Sequence, residues 1–207
     1  MFDKWKSFEK ILEDQCVIGF VQRNGSHEHF LPLKEDDPQS TLPTIEIGGL
    51  PDKSILIKTD FVFTIPCFLK KEISVGERKY DLRQRCDYIL FSCINGVSTI
   101  VFFELKSGNP KRSHIENQFL GAKCFLGYLD KVLQNFLSIN IESCDSNQVV
   151  KRFVVIYSPD KIQKALKNLD PPRQTHNNPK NYYLCPVPKR TNLNSITIIN
   201  YTALFQL

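Results

Sequence analysis

Asp87, Glu104 and Lys106 are the residues whose types and spacing could do chemistry together. They ride on two β-prone runs, Asp87–Cys93 and Ser98–Lys106, which flank the dipeptide Asn95-Gly96. Asn-Gly between apolar runs is the strongest short hairpin signal, because both residues accept the positive φ of a tight turn. If those two form the loop, residue 94 pairs with 97, and Asp87 then falls directly opposite Glu104. Opposed residues share a sheet face with Cβ atoms about 4.5–5.5 Å apart. Lys106, two residues beyond Glu104, points to the same face. Two adjacent carboxylates repel unless something neutralises them. A divalent cation does so, and oxygen ligands suit Mg²⁺ or Mn²⁺. The ammonium could then position a water or stabilise charge developing on a phosphate. Phe103 and Leu105 alternate to the other face and into a core, which leaves Glu104 and Lys106 on the solvent side of the hairpin. The chain also carries a second copy of the spacing, Asp60 with Glu77-Arg78-Lys79. It follows Gly76 in a polar, turn-like stretch rather than lying on an apolar strand, and is set aside for that reason.

Cys86-Asp87 followed by Phe103-Glu104-Leu105-Lys106 on the next strand resembles the PD-(D/E)xK nuclease superfamily. The likeness covers about Asp87 to Leu137, a quarter of the chain, with Cys86 where the motif's proline would stand. It implies a restriction-endonuclease-like fold, Asp87 and Glu104 as ligands of Mg²⁺ (or Mn²⁺), Lys106 serving the attacking water, and hydrolysis of a phosphodiester. Gln118, early in the helix after the second strand, resembles the helix glutamine of RecB-like nucleases and is assigned a supporting catalytic place. The superfamily often sets a further metal-binding Glu on its first helix. Glu9 takes that role here, with Glu13 one turn on as its competitor. Arg83, Arg85, Lys111 and Arg112 flank the motif on both sides, with His114 close by, as candidate contacts to a nucleic-acid backbone. The register puts Arg85 opposite Lys106 on the active face.

The elements that must hold these residues follow from periodicity. Phe2, Trp5, Phe8, Leu12 and Cys16 space a first helix over residues 2–16. Residues 17–75 read as a β-rich elaboration, with strands at Val17–Val21, Thr44–Ile47 and Ser54–Ile65. Ser113 and Glu116 have the form of a capping box. A long helix to Leu137 should follow, with Ile115, Phe119, Ala122, Leu126, Leu129 and Leu133 toward a core. A buried strand at Val149–Tyr157, a short helix at Asp160–Leu169 and late strands near Tyr182–Cys185 and Ser195–Tyr201 complete the chain. The expected architecture is α/β: one domain over 1–207, its catalytic core at 80–160, with a mixed central sheet flanked by helices.

The 207 residues, 42% hydrophobic and 24% charged, suffice to bury a core and exclude disordered, collagen-like and coiled-coil classes. No apolar run approaches the ~20 residues that span a bilayer, so no membrane partner is expected. The start, Met1-Phe-Asp-Lys-Trp-Lys, lacks the apolar region of a signal peptide. Seven cysteines with no CxxC pair suit a reducing, cytoplasmic setting rather than a zinc or disulfide framework. His27-Glu28-His29 has no further ligand at metal spacing and is set aside. The net charge of +5 is uneven, −4 over residues 1–60, +2 over 61–150 and +7 over 151–207, and the basic end favours a polyanion. The resulting expectation is a Mg²⁺-dependent nuclease of restriction, antiviral defence or repair, acting on DNA in preference to RNA, as a homodimer or with a partner subunit. A non-catalytic nucleic-acid-binding or assembly subunit of the same fold, and an RNase effector, are the alternatives.

Overall fold

The computed structural model describes residues 7–22, 28–59, 72–94, 96–108, 111–141, 149–158, 177–189, 191 and 196–201. A six-stranded mixed sheet forms the centre. Its strands are β1 (Val17–Ile18), β5 (Ile55–Lys58), β8 (Tyr88–Ile94), β9 (Val97–Lys106), β10 (Val150–Tyr157) and β11 (Tyr183–Pro186), adjacent in that order. Pairing is antiparallel as far as β9, then parallel through β10 and β11. The β8–β9 hairpin has the register that the Asn-Gly turn predicts: Ile94 pairs with Val97 and Tyr88 with Phe103. Gly96 takes φ +80°, the left-handed conformation the turn demands of it.

Both faces of this sheet are covered. Ile89, Phe91, Ile100, Phe102, Phe153 and Val155 pack beneath helix α2 (Arg112–Leu137), whose predicted stripe from Ile115 to Leu133 is buried throughout. Phe102 stacks on Phe153 with ring centroids 4.6 Å apart, and Phe119 of α2 meets Phe153 edge-on at 5.2 Å. On the opposite face, Leu90, Val101, Phe103, Leu105, Val154 and Ile156 meet a second sheet. That sheet orders β12 (Ile196–Asn200), β4 (Thr44–Gly48), β3 (His29–Leu33) and β2 (Val21–Gln22), and a separate hairpin joins β6 (Glu72–Val75) to β7 (Arg78–Asp81). The molecule is therefore mixed α/β and mostly strand. Among the described residues helices cover one face only, because the alternating apolar residues of β3 and β4 bury the other.

Three local expectations change. Among the described residues the expected first helix is limited to α1, Phe8–Ile11; the chain turns extended at Leu12, and a single 3₁₀ turn spans Asp14–Cys16. Phe8, Leu12 and Cys16 all still reach the α2-side core. The run Val17–Val21 is split, since β1 joins the large sheet and β2 the small one. The capping box does not form. Helix α2 starts at Arg112 with Lys111 as an uncapped N-cap, and the Glu116 carboxylate is taken by Arg112 at 2.9 Å. The segments 2–6, 60–65 and 160–169, expected as parts of a helix, a strand and a helix, lie outside the described residues. Among the described residues no helix is long and apolar enough to cross a membrane.

Candidate active site

The site forms where β8 begins and β9 ends. Asp87 stands one residue before β8, and continuing the ladder past Tyr88–Phe103 sets it against Glu104. Its position is fixed from both ends. The Leu105 amide donates to Asp87 Oδ2 at 2.6 Å, and the Asp87 carbonyl accepts from the Thr59 amide at 2.8 Å. Tyr88, next along, locks the strand to the second sheet's approach by accepting from Lys34 N and donating to Lys34 O.

Glu104 is not on a solvent face, as the hairpin pattern had suggested; it is 0% exposed. It shares its face with Phe102 and Ile100, and α2 closes over all three. Its Oε1 lies 2.5 Å from Lys106 Nζ. The Gln118 side chain also bonds this carboxyl. Burial, first, and the Asp87 charge, second, push the Glu104 carboxyl well above the usual carboxylate range. Lys106 and the neighbouring Gln118 amide oppose that shift without cancelling it.

Lys106 is partly exposed, and its carbonyl accepts from Ser158 N at 3.0 Å, which ties the end of β9 to β10. Gln118 is buried on the inner stripe of α2, between the turns carrying Ile115 and Ala122. Asp87, Glu104, Lys106 and Gln118 are thus brought together. The buried Cys86 thiol is pushed up by burial and by Glu104 and Asp87, and donates to Tyr88 O at 3.3 Å; it packs rather than reacts.

Arg85 does not stand opposite Lys106. The ladder stops at Tyr88, and Arg85 instead lays its guanidinium over the Phe125 ring, 5.5 Å from the centroid. Gly121 makes that crossing possible: a Cβ there would fall 1.7 Å from Gln84 O. Arg83 and Lys111 are exposed. Arg112 is exposed too, and bonds both Glu116 and, at 3.1 Å, Lys180 O. The Glu9 side chain lies outside the described residues, and Glu13 is exposed. His27 is also outside them, while His29 sits on β3 against Phe20.

Two residues gain a place that spacing could not give them. His114, read above only as one of several basic groups, has its Nδ1 3.3 Å from Gln84 Nε2. Partial desolvation, then Lys106, hold its imidazole below the usual range. Gln84 carries no local sequence signal, since its position depends on the close approach at Gly121.

Among the described residues no group of three or more His, Cys, Asp or Glu gathers as a ready metal cage. Two carboxylates are nonetheless an adequate protein share for Mg²⁺, which keeps several waters and is completed by substrate phosphate. The buried Glu104 carboxyl, raised by burial and by the Asp87 charge, is the observation that fits such an ion. No family model, curated protein or solved structure matches the chain.

Proposed function

We propose that this chain is a metal-dependent nuclease with a restriction-endonuclease-like core, hydrolysing phosphodiester bonds in nucleic acid, DNA in preference to RNA. The carrying observation is the buried Glu104 carboxyl, raised well above its usual range yet set beside Asp87 and Lys106. A fold gains no stability from burying one acid against the charge of another. Their retention on a rigid hairpin is the mark of a site kept for its chemistry.

Asp87 and Glu104 would hold Mg²⁺ or Mn²⁺, which supplies Lewis-acid polarisation of the scissile phosphate and a water of lowered pKa. Asp87 is oriented for this by the Leu105 amide, and Glu104 by the packing of α2. Lys106 turns its ammonium from Glu104 toward the attacking water or the developing phosphorane charge, a short swing at the open end of the strand. Gln118 donates its amide toward Glu104 and keeps that carboxyl ionised when the ion is held. Lys111 and Arg83 offer phosphate contacts that position the strand without reading sequence. A cytoplasmic role in restriction, antiviral defence or repair, as a homodimer or with a partner subunit, accords with this chemistry.

The test is cleavage of linear, circular and single-stranded DNA and of RNA by the purified protein. Activity should require Mg²⁺ or Mn²⁺, vanish in EDTA and fail in Ca²⁺. Full activity in chelator would overturn the mechanism. Salt-dependent binding with no cleavage under any metal would instead make the chain a non-catalytic nucleic-acid-binding subunit.

A further inference from the structure

A cleft of about 720 Å³ opens between the β6–β7 hairpin, the first two turns of α2 and the turn at Lys180. It opens on the first two turns of α2, the helix whose buried side carries Gln118. Its cations come from three elements: Lys79 from β7, Arg112 from α2, and Lys180. Arg112 is braced across the opening by Glu116 and by the Lys180 carbonyl. Tyr80 presents a half-buried aromatic ring to the lining. Asn117 is held against the hairpin by donating to Lys79 O at 3.3 Å.

Resting on the nuclease reading, we propose that this cleft seats an unpaired nucleotide of the substrate strand, so that the preferred substrate is single-stranded or locally opened nucleic acid. Size decides between strands. Pockets of about 300–1,000 Å³ take small molecules, which allows one or two nucleotides. A duplex, whose major groove alone is about 12 Å wide, stays outside. Lys79, Arg112 and Lys180 supply the positive charge a phosphate backbone follows. Tyr80 supplies the stacking platform that single-strand sites use in place of base pairing. Glu77, also in the lining, repels phosphate and can accept a hydrogen bond from an exocyclic amino group, while Glu116 holds the Arg112 guanidinium in place. The Glu77-Arg78-Lys79 triplet, discarded as a catalytic motif, thereby acquires a role in holding substrate.

The experiment is fluorescence anisotropy with the full chain in EDTA, using a labelled ten-nucleotide single strand and a blunt duplex of the same sequence. The single strand should bind more tightly. Tyr80→Ala should weaken it roughly fivefold to a hundredfold, while Tyr80→Phe, which keeps the ring, stays within about twofold of wild type. Duplex binding should change little in either variant. Equal affinity for both forms, or a Tyr80→Ala protein that binds the single strand as wild type does, overturns the inference. Cleavage is scored separately. A protein that cuts duplex and ignores Tyr80→Ala leaves the nuclease reading standing without the cleft. A protein that binds the single strand through Tyr80 but never cuts leaves the cleft standing without the nuclease.

Discussion

Glu104 holds a proton more tightly in the fold than in the unfolded chain, and that has a measurable sign. The stability it permits is fully present below the ordinary carboxyl pKa and is lost as pH rises through the raised value of the folded state. Metal-free protein should therefore become less stable as pH is raised, and Glu104→Gln, which keeps the shape and removes the titration, should melt higher than wild type at about pH 8. A cation competes with that proton. Mn²⁺ at a hundredfold excess over its Kd should add about 2.7 kcal/mol, roughly 5–10 °C in Tm for a chain of this size, and less at about pH 6 than at about pH 8. Differential scanning fluorimetry would read both effects. A metal-induced rise that survives in Glu104→Gln would place the ion elsewhere. Cleavage should fall at least roughly a hundredfold in Glu104→Gln and in Lys106→Ala. Circular dichroism must show both variants folded, a necessary control because Glu104 is buried beneath α2.

Helix α2 carries two glycines that look alike in the sequence and differ in the fold. A Cβ at Gly121 would fall 1.7 Å from the Gln84 carbonyl, whereas one at Gly127 meets nothing within 4 Å. Gly121→Ala should cost about 1–3 kcal/mol, and push the segment bearing Gln84 and Arg85 off the helix. Gly127→Ala should stabilise by about 0.5–1 kcal/mol through backbone entropy alone. Urea denaturation of the pair checks this, and equal effects would mean that the crossing at Gly121 is not tight. The same contrast marks what was legible beforehand. The Asn95-Gly96 turn and the alternation of β8 and β9 are local, so the opposition of Asp87 to Glu104 could be read from spacing. The 3.6-residue period put Gln118 on the inner stripe of α2 for the same reason. Burial of Glu104, the displacement of Arg85 onto Phe125 and the pairing of Gln84 with His114 all depend on chain segments distant in sequence. The failed capping box shows the reverse case, a local motif beaten by a competing local ion pair.

Across the whole molecule, charge and layering divide the work between binding and fold. The excess of positive charge lies in residues 151–207, and Lys111 and Arg112 stand exposed at the start of α2. Log affinity for nucleic acid should fall linearly with log salt, with a slope of about −0.9 per phosphate neutralised on duplex and −0.7 on single strand. Reversing Lys111 and Arg112 to Glu should flatten that slope by about two contacts in filter binding. An unchanged slope would make both residues bystanders. The second sheet has a different consequence, which concerns synthesis. β4 is completed on one edge by β3, its near neighbour, and on the other by β12, pairing Thr44 with Ile196. That partner is translated about 150 residues later, and at ~5–20 residues per second the interval is roughly 8–30 s. Throughout it, a growing chain carries an unpaired β4 edge and an apolar layer awaiting Tyr201. The nascent protein thus passes through a sticky half-built stage on the ribosome, so chaperone supply and translation rate should govern its soluble yield.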